Sequence, residues 1–146
     1  MVKNLQVHSE DQSIDKRTVH SLIAKLKSHF KLSISFLTIS IIDSDKLRAI
    51  NKKHLKHDFN TDVISFNYSK KSDEIDGEIL ISFEQAKINA KKYRVNYNQE
   101  ICRLIIHGIL HLLNYDDNNK KNRTIMKQME NKLLNKYNFT LFAGKY

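Results

Sequence analysis

The sequence predicts an α+β fold, α/β-like in character: a four-stranded, mostly parallel mixed sheet packed with helices, one of them buried at the centre. Three observations predict it. Short runs of β-branched residues alternate along the chain with stretches of 3.6-residue apolar period, the pattern of strands joined through helical crossovers. Residues 101–113 are apolar nearly all round, which is the pattern of a helix enclosed on every side. No boundary, repeat or low-complexity linker interrupts the 146 residues, a length that suits one domain, 1–146, with a proper core.

The elements follow in the order β-α-β-α-β-β-α-α-α. Residues 5–7 form a short strand. Asp15 caps a helix whose apolar positions Val19, Leu22, Ile23, Leu26 and Phe30 keep helical spacing. Residues 32–42 alternate and are rich in β-branched side chains, so they read as a central strand. Asp43 or Ser44 caps a helix through Leu47 and Ile50 to about Lys53. A loop with His54 and His57, read as solvated, leads into a strand ending near Phe66. Residues 70–76 are polar and expected to be loop; Gly77 opens the strand after them. Ser82 with Gln85 makes a capping box for a helix through Ala86, Ala90 and Tyr93, whose Lys87, Lys91 and Lys92 form an ordinary solvated face. Asn96 with Gln99 is a second box, opening the apolar helix. Asn118 or Asn119 caps a last helix with Met126, Met129, Leu133 and Tyr137 inward, and the aromatic tail, residues 139–146, packs back on the body or meets a partner.

The apolar helix carries His107 and His111, four residues apart, so both imidazoles leave one face about one turn apart. That spacing suits a single tetrahedral zinc and makes this the central buried metal-binding helix of the fold. Gly108 between them costs about 1 kcal/mol against alanine inside a helix, which points to another chain segment passing close to the backbone. Asn114 tolerates the left-handed conformation that ends helices, so Tyr115, Asp116 and Asp117 fold back beneath the histidines. Asp117 is the candidate third ligand, with Asp116 as the alternative ligand or a neighbour that orients one. Two histidines and one carboxylate leave a position for water, as in catalytic zinc sites. Cys102 points about 140° away from His107 on the same helix and is no ligand. The zincin pattern H-E-x-x-H is absent, since Gly108 stands where its glutamate would be, and peptide hydrolysis by that route is disfavoured.

The stretch from His107 to Asp117 resembles the H-G-x-L-H-L-x-G-Y-D-H signature of the bacterial YbeY family, matching at His107, Gly108, Leu110, His111, Leu112, Tyr115 and Asp116. Asn114 replaces the family glycine and Asp117 the third family histidine. A second block resembles the family's L-N-x-x-Y-R-x-x-D-x-P-T-D-V-L-S-F-P, matching at Asn51, Asp58, Thr61, Asp62, Val63, Ser65 and Phe66. There Leu55 stands in place of an arginine, and Asn60 and Asn67 in place of prolines. The resemblance runs from Asp43 to Asp117. It implies a zinc-dependent endoribonuclease acting on single-stranded RNA, with one zinc per chain on His107, His111 and Asp117, and roles in small-subunit (16S) ribosomal RNA maturation and ribosome quality control. Ribosomal RNA and the small subunit are the partners it implies. If the missing arginine grips phosphate in the family, another cation replaces it here, the nearest candidates being Lys56, Lys52 and Arg103. Arg103, one turn before His107, either holds a phosphate or pairs with a carboxylate such as Asp116. An aspartate ligand adds negative charge, making a weaker Lewis acid, so the expectation is a slower enzyme or one using another divalent metal.

A formal net charge of +9 favours an anionic partner, nucleic acid before membrane, although the abundance of lysine, asparagine and isoleucine with no proline also fits nucleotide bias in the genome. No signal peptide and no run long enough to span a membrane are visible, and one cysteine fits a reducing compartment, so a cytoplasmic location is expected. Two rivals remain. One is a metal-dependent hydrolase on another substrate, though not a nucleobase deaminase, whose P-C-x-x-C element is missing. The other is a ribosome-assembly protein whose RNA binding is the function and whose metal is structural.

Overall fold

The computed structural model describes residues 1–56 and 61–137. Its elements are β1 (Leu5–Ser9), α1 (Lys16–Phe30), β2 (Ser33–Ile42), α2 (Ser44–Leu55), β3 (Val63–Asn67), β4 (Glu74–Ser82), α3 (Phe83–Tyr93), α4 (Tyr97–Leu112) and α5 (Lys120–Lys136). The strands form one sheet in the order β1-β2-β4-β3, with β1 and β4 parallel to β2 and β3 antiparallel to β4. This is the mostly parallel mixed sheet that the alternation of strands and helices predicts. The antiparallel exception follows from the short link between β3 and β4, which leaves no room for a helical crossover.

Helix starts obey local chemistry. Asp15, Asp43, Ser82, Asn96 and Asn119 each accept from a backbone N–H in the first turn of α1 to α5, respectively. Of the two capping boxes, only the forward half forms at Ser82, because the Ser82 N–H donates to the carbonyl of Asp62 at 2.9 Å rather than to the Gln85 side chain. One expectation is corrected. Residues 74–76, expected to be loop, belong to β4: Glu74 and Asp76 face outward while Ile75 is buried, and their partners are Ser33, Ile34 and Phe36 across a bulge in β2. Polarity on the outward face alone concealed that half of the strand's alternation. His57 and the tail, residues 139–146, lie outside the described residues.

The core lies where β2 and β4 meet the helices. Leu37, Ile39, Ile41, Ile79 and Ile81 from the strands and Ile101, Cys102, Ile105, Ile106 and Leu110 from α4 are fully buried. Burying each large aliphatic side chain contributes about 1.5–3 kcal/mol, so α4 is held by what surrounds it rather than by its own propensity. It packs on β3, β4, α3 and α5. Gly108 marks the closest approach: a Cβ there would lie 2.7 Å from Cγ2 of Ile79 on β4.

Candidate metal centre and cleft

Helix α4 ends by a left-handed reversal. Asn114 has φ 70°, its N–H donates to the carbonyl of His111 at 3.0 Å, and the Tyr115 N–H donates to the carbonyl of Leu110 at 3.0 Å. This is a Schellman closure. Tyr115 packs against the core and fixes the direction in which the chain leaves, so Asp117 arrives under the two histidines.

His107 Nε2 and His111 Nε2 are 3.0 Å apart, and Asp117 Oδ2 lies 3.9 Å from the first and 3.8 Å from the second. Among the described residues this is the one cluster of three or more metal-ligating side chains. Ligand atoms of a tetrahedral zinc sit roughly 3.3–3.6 Å apart, given metal–ligand bonds of about 2.0–2.2 Å. The triangle therefore accepts an ion with shifts of a few tenths of an ångström. The three side chains are 21, 30 and 42% exposed, which leaves one side of that triangle open to solvent.

The donor set is prepared from behind. Glu130, on the inward face of α5 and nearly buried, places Oε2 2.5 Å from His107 Nδ1. The carboxylate takes the Nδ1–H and leaves the Nε2 lone pair directed at the cluster, the usual outer partner of a metal-binding histidine. Burial works to lower the His107 pKa, but the hydrogen bond and charge of Glu130, with Asp117 and Asp62 beyond, outweigh it and raise the value. Burial and the neighbouring His107 push His111 down.

Glu130 also begins a polar chain across the floor of the site. Its Oε1 accepts from Arg103 at 3.2 Å; Arg103 Nη2 donates to Asn131, and Arg103 Nε lies 3.5 Å from Glu100. Asn89 donates to Glu100 and to Asp62. Glu100 is 1% exposed, and burial raises its pKa.

The sequence candidates are distributed as follows. His107, His111 and Asp117 converge. Arg103 lies beside them with its guanidinium engaged by Glu130, Asn131 and Glu100. Asp116 accepts from the Asn118 N–H and the Asn122 amide, bracing the turn into α5 rather than touching a histidine or Arg103. Lys52 and Lys56 are exposed at the C-terminal end of α2 and its cap. Residues of that end, Asn51 and Leu55, share with His111 a small cavity of about 220 Å³. His54 sits edge-on to Phe66. Two groups escape motif reading: Glu130 and the Asn89–Glu100 pair. Glu130 did leave a trace, as a carboxylate within the inward stripe Met126, Glu130, Leu133 and Leu134.

A larger cleft of about 690 Å³ opens beside the cluster. Helix α4 is its floor, through Glu100, Arg103, Leu104 and His107. Tyr93 of α3, Arg123, Met126 and Lys127 of α5, and Asp62 and Asp117 also line it.

Fold and site together define a mixed-sheet α+β protein with a possible two-histidine, one-carboxylate metal centre open to a cleft. A family model described as Endoribonuclease YbeY matches residues 3–138. The chain belongs to the YbeY endoribonuclease family. The Endoribonuclease YbeY of Azobacteroides pseudotrichonymphae is 36% identical over 128 residues, covering 88% of this chain and 91% of the relative. That of Parabacteroides distasonis is 32% identical over 122 residues (84 and 85%), and that of Chlorobium limicola 43% identical over 91 residues (62% of each). The fold is shared with a Thermotoga maritima protein solved in solution, with a TM-score of 0.61 at 21% identity over 92% of this chain and 91% of that one. Among the described residues no helix is long and apolar enough to cross a membrane.

Proposed function

We propose that this chain, as one domain, is a zinc-dependent endoribonuclease that cleaves single-stranded RNA and acts in the cytoplasm in 16S ribosomal RNA maturation and small-subunit quality control. The observation that carries the reading is the triangle of His107, His111 and Asp117, open on one side to a cleft wide enough for a nucleotide unit. Ligand pockets of that kind run from roughly 300 to 1,000 Å³. A closed structural site would keep no side free.

A zinc bound there would supply Lewis acidity toward a phosphoryl oxygen and lower the pKa of a water to near neutrality. The chain's own contributions are geometric and electrostatic. Glu130 fixes the His107 tautomer. Asp117 adds a negative charge that a third histidine would not, which weakens the Lewis acid and makes another divalent metal a competent occupant. Arg103, held on both sides by carboxylates, keeps Glu130 and Glu100 in place along the floor of the cleft.

The test is cleavage of labelled single- and double-stranded RNA by chelator-treated protein, with and without added zinc, manganese or magnesium. Single-strand cleavage restored by one of these ions supports the proposal. Unchanged RNA affinity, lower stability and no cleavage with any ion would support an assembly protein with a structural metal instead.

A further inference from the structure

Among the residues lining the 690 Å³ cleft, Tyr93 from α3 and Arg123 and Lys127 from α5 are exposed, carry an aromatic ring or a positive charge, and have no role in the metal centre. Arg123 and Lys127 are four residues apart on α5 and so leave the same face of the helix. Both are exposed, and among the described residues neither forms an ion pair. The one hydrogen bond of the Arg123 side chain among those residues, 3.4 Å long, goes to the backbone carbonyl of Asp117, which places its guanidinium beside the candidate ligand. Arg103, by contrast, already has Glu130, Asn131 and Glu100 around it. Of the cations lining this cleft, those of α5 are therefore the ones no carboxylate engages among the described residues.

Tyr93 closes α3 and is 59% exposed, a large ring left in solvent among the residues that line the cleft. Lys92 Nζ lies 5.5 Å from its centroid and covers one face at most. An exposed ring and a pair of cations lining one cleft form the combination by which proteins hold single strands: the aromatic face stacks a base, and the cations follow the phosphates. A paired base, already stacked on its neighbours, offers no face to such a ring.

Resting on the endoribonuclease reading, we propose that this cleft is a single-strand RNA subsite in which Tyr93 stacks a base and Arg123 with Lys127 holds the phosphate adjacent to the metal centre. The subsite explains a preference for unpaired RNA from residues outside the metal motif.

The experiment is fluorescence anisotropy of a labelled single-stranded RNA decamer with the full chain, in chelator and again with zinc, across a salt titration. Binding in chelator needs no cleavage, so its outcome is separate from that of the nuclease proposal. Each of Arg123→Gln and Lys127→Gln should weaken binding and reduce the slope of log affinity against log salt by about 0.7, the contribution of one single-strand phosphate contact. Tyr93→Ala should lose about fivefold or more, within the range for one stacked base, with the slope unchanged, while Tyr93→Phe retains parental affinity. Lys25→Gln on α1 is the control and should change nothing. All three cleft residues are exposed, so thermal melting should match the parent. A double variant of Arg123 and Lys127 with the parental slope, or Tyr93→Phe as damaging as Tyr93→Ala, overturns the proposal.

Discussion

Replacing Glu130 by glutamine separates the preparation of the metal centre from its ligands. The carboxylate is 6% exposed and divided between two partners, Oε2 to His107 Nδ1 at 2.5 Å and Oε1 to Arg103 at 3.2 Å. Glutamine keeps the shape and still accepts one hydrogen bond, but it removes the charge. Loss of an outer partner of this kind costs 10–100-fold in metal affinity, about 1.4–2.7 kcal/mol. The contact here is short and shielded, so the expected loss lies toward the upper end. Competition against a chromophoric chelator at neutral pH measures it, with circular dichroism to confirm the helices. The metal-free protein supplies a second readout. Glu130 raises the folded pKa of His107 above its ordinary 6.5. The stabilisation from that pair is complete below 6.5 and is lost as pH rises through the folded value. In chelator, the stability deficit of Glu130→Gln should therefore be largest at acid pH and shrink toward alkaline pH. A metal affinity within about threefold of the parent, or a deficit independent of pH, would refute the role assigned to Glu130.

Three further substitutions test other links. Gly108→Ala gains about 1 kcal/mol of helix propensity, yet the new methyl would meet Ile79 at 2.7, 2.8 and 3.0 Å. Overpacking of this kind costs about 1–3 kcal/mol. Denaturant titration should show net destabilisation, and the double variant with Ile79→Ala should cost less than the sum of the two; a more stable Gly108→Ala would contradict the geometry. Asp117→Ala should lower metal affinity by more than the roughly 10–100-fold of an outer-partner loss. Asp117→His restores a ligand, raises the charge at the centre by one, and should move the rate-controlling ionisation to lower pH; a profile unchanged from the parent would remove Asp117 from the centre. Asn114→Gly should leave stability within about 1 kcal/mol of the parent, whereas Asn114→Val, forced to φ 70°, should lose about 1–2 kcal/mol or more in thermal or denaturant melts.

The order of elements was legible because each helix carries its own start signal and each central strand its own β-branched run. What alternation missed was the first part of β4, where Glu74 and Asp76 look like loop residues until Ile75 is seen packed inward. The proximity of His107, His111 and Asp117 was legible for a local reason: all three lie within eleven residues, and one left-handed residue at Asn114 sets the return. Arg103 shows where local reasoning stops. Its place in the histidine stripe follows from helical period, but its partner could not be read from its own segment. The nearby carboxylate Asp116 is turned into the α5 cap, and the charges that meet Arg103 are Glu100, three residues earlier, and Glu130, delivered by the packing of α5 on α4.

That packing is the step a motif does not contain. A motif records which residues one segment presents, whereas the electrostatics of this site are set between segments. Three acidic groups converge on the outer partners of α4: Glu130 from α5, Asp62 ahead of β3, and Glu100 from α4's own first turn, the last two joined through Asn89. They compensate a half-buried guanidinium and a half-buried imidazole that would each be costly alone. With Asp117 added, the immediate surroundings of the centre are acidic in a chain of net charge +9. The positive charge needed for a polyanion must therefore come from the cleft walls rather than its floor. Arg123 and Lys127 line that cleft, Arg123 with its guanidinium 3.4 Å from the Asp117 carbonyl, and among the described residues neither is engaged by the carboxylates that bind Arg103.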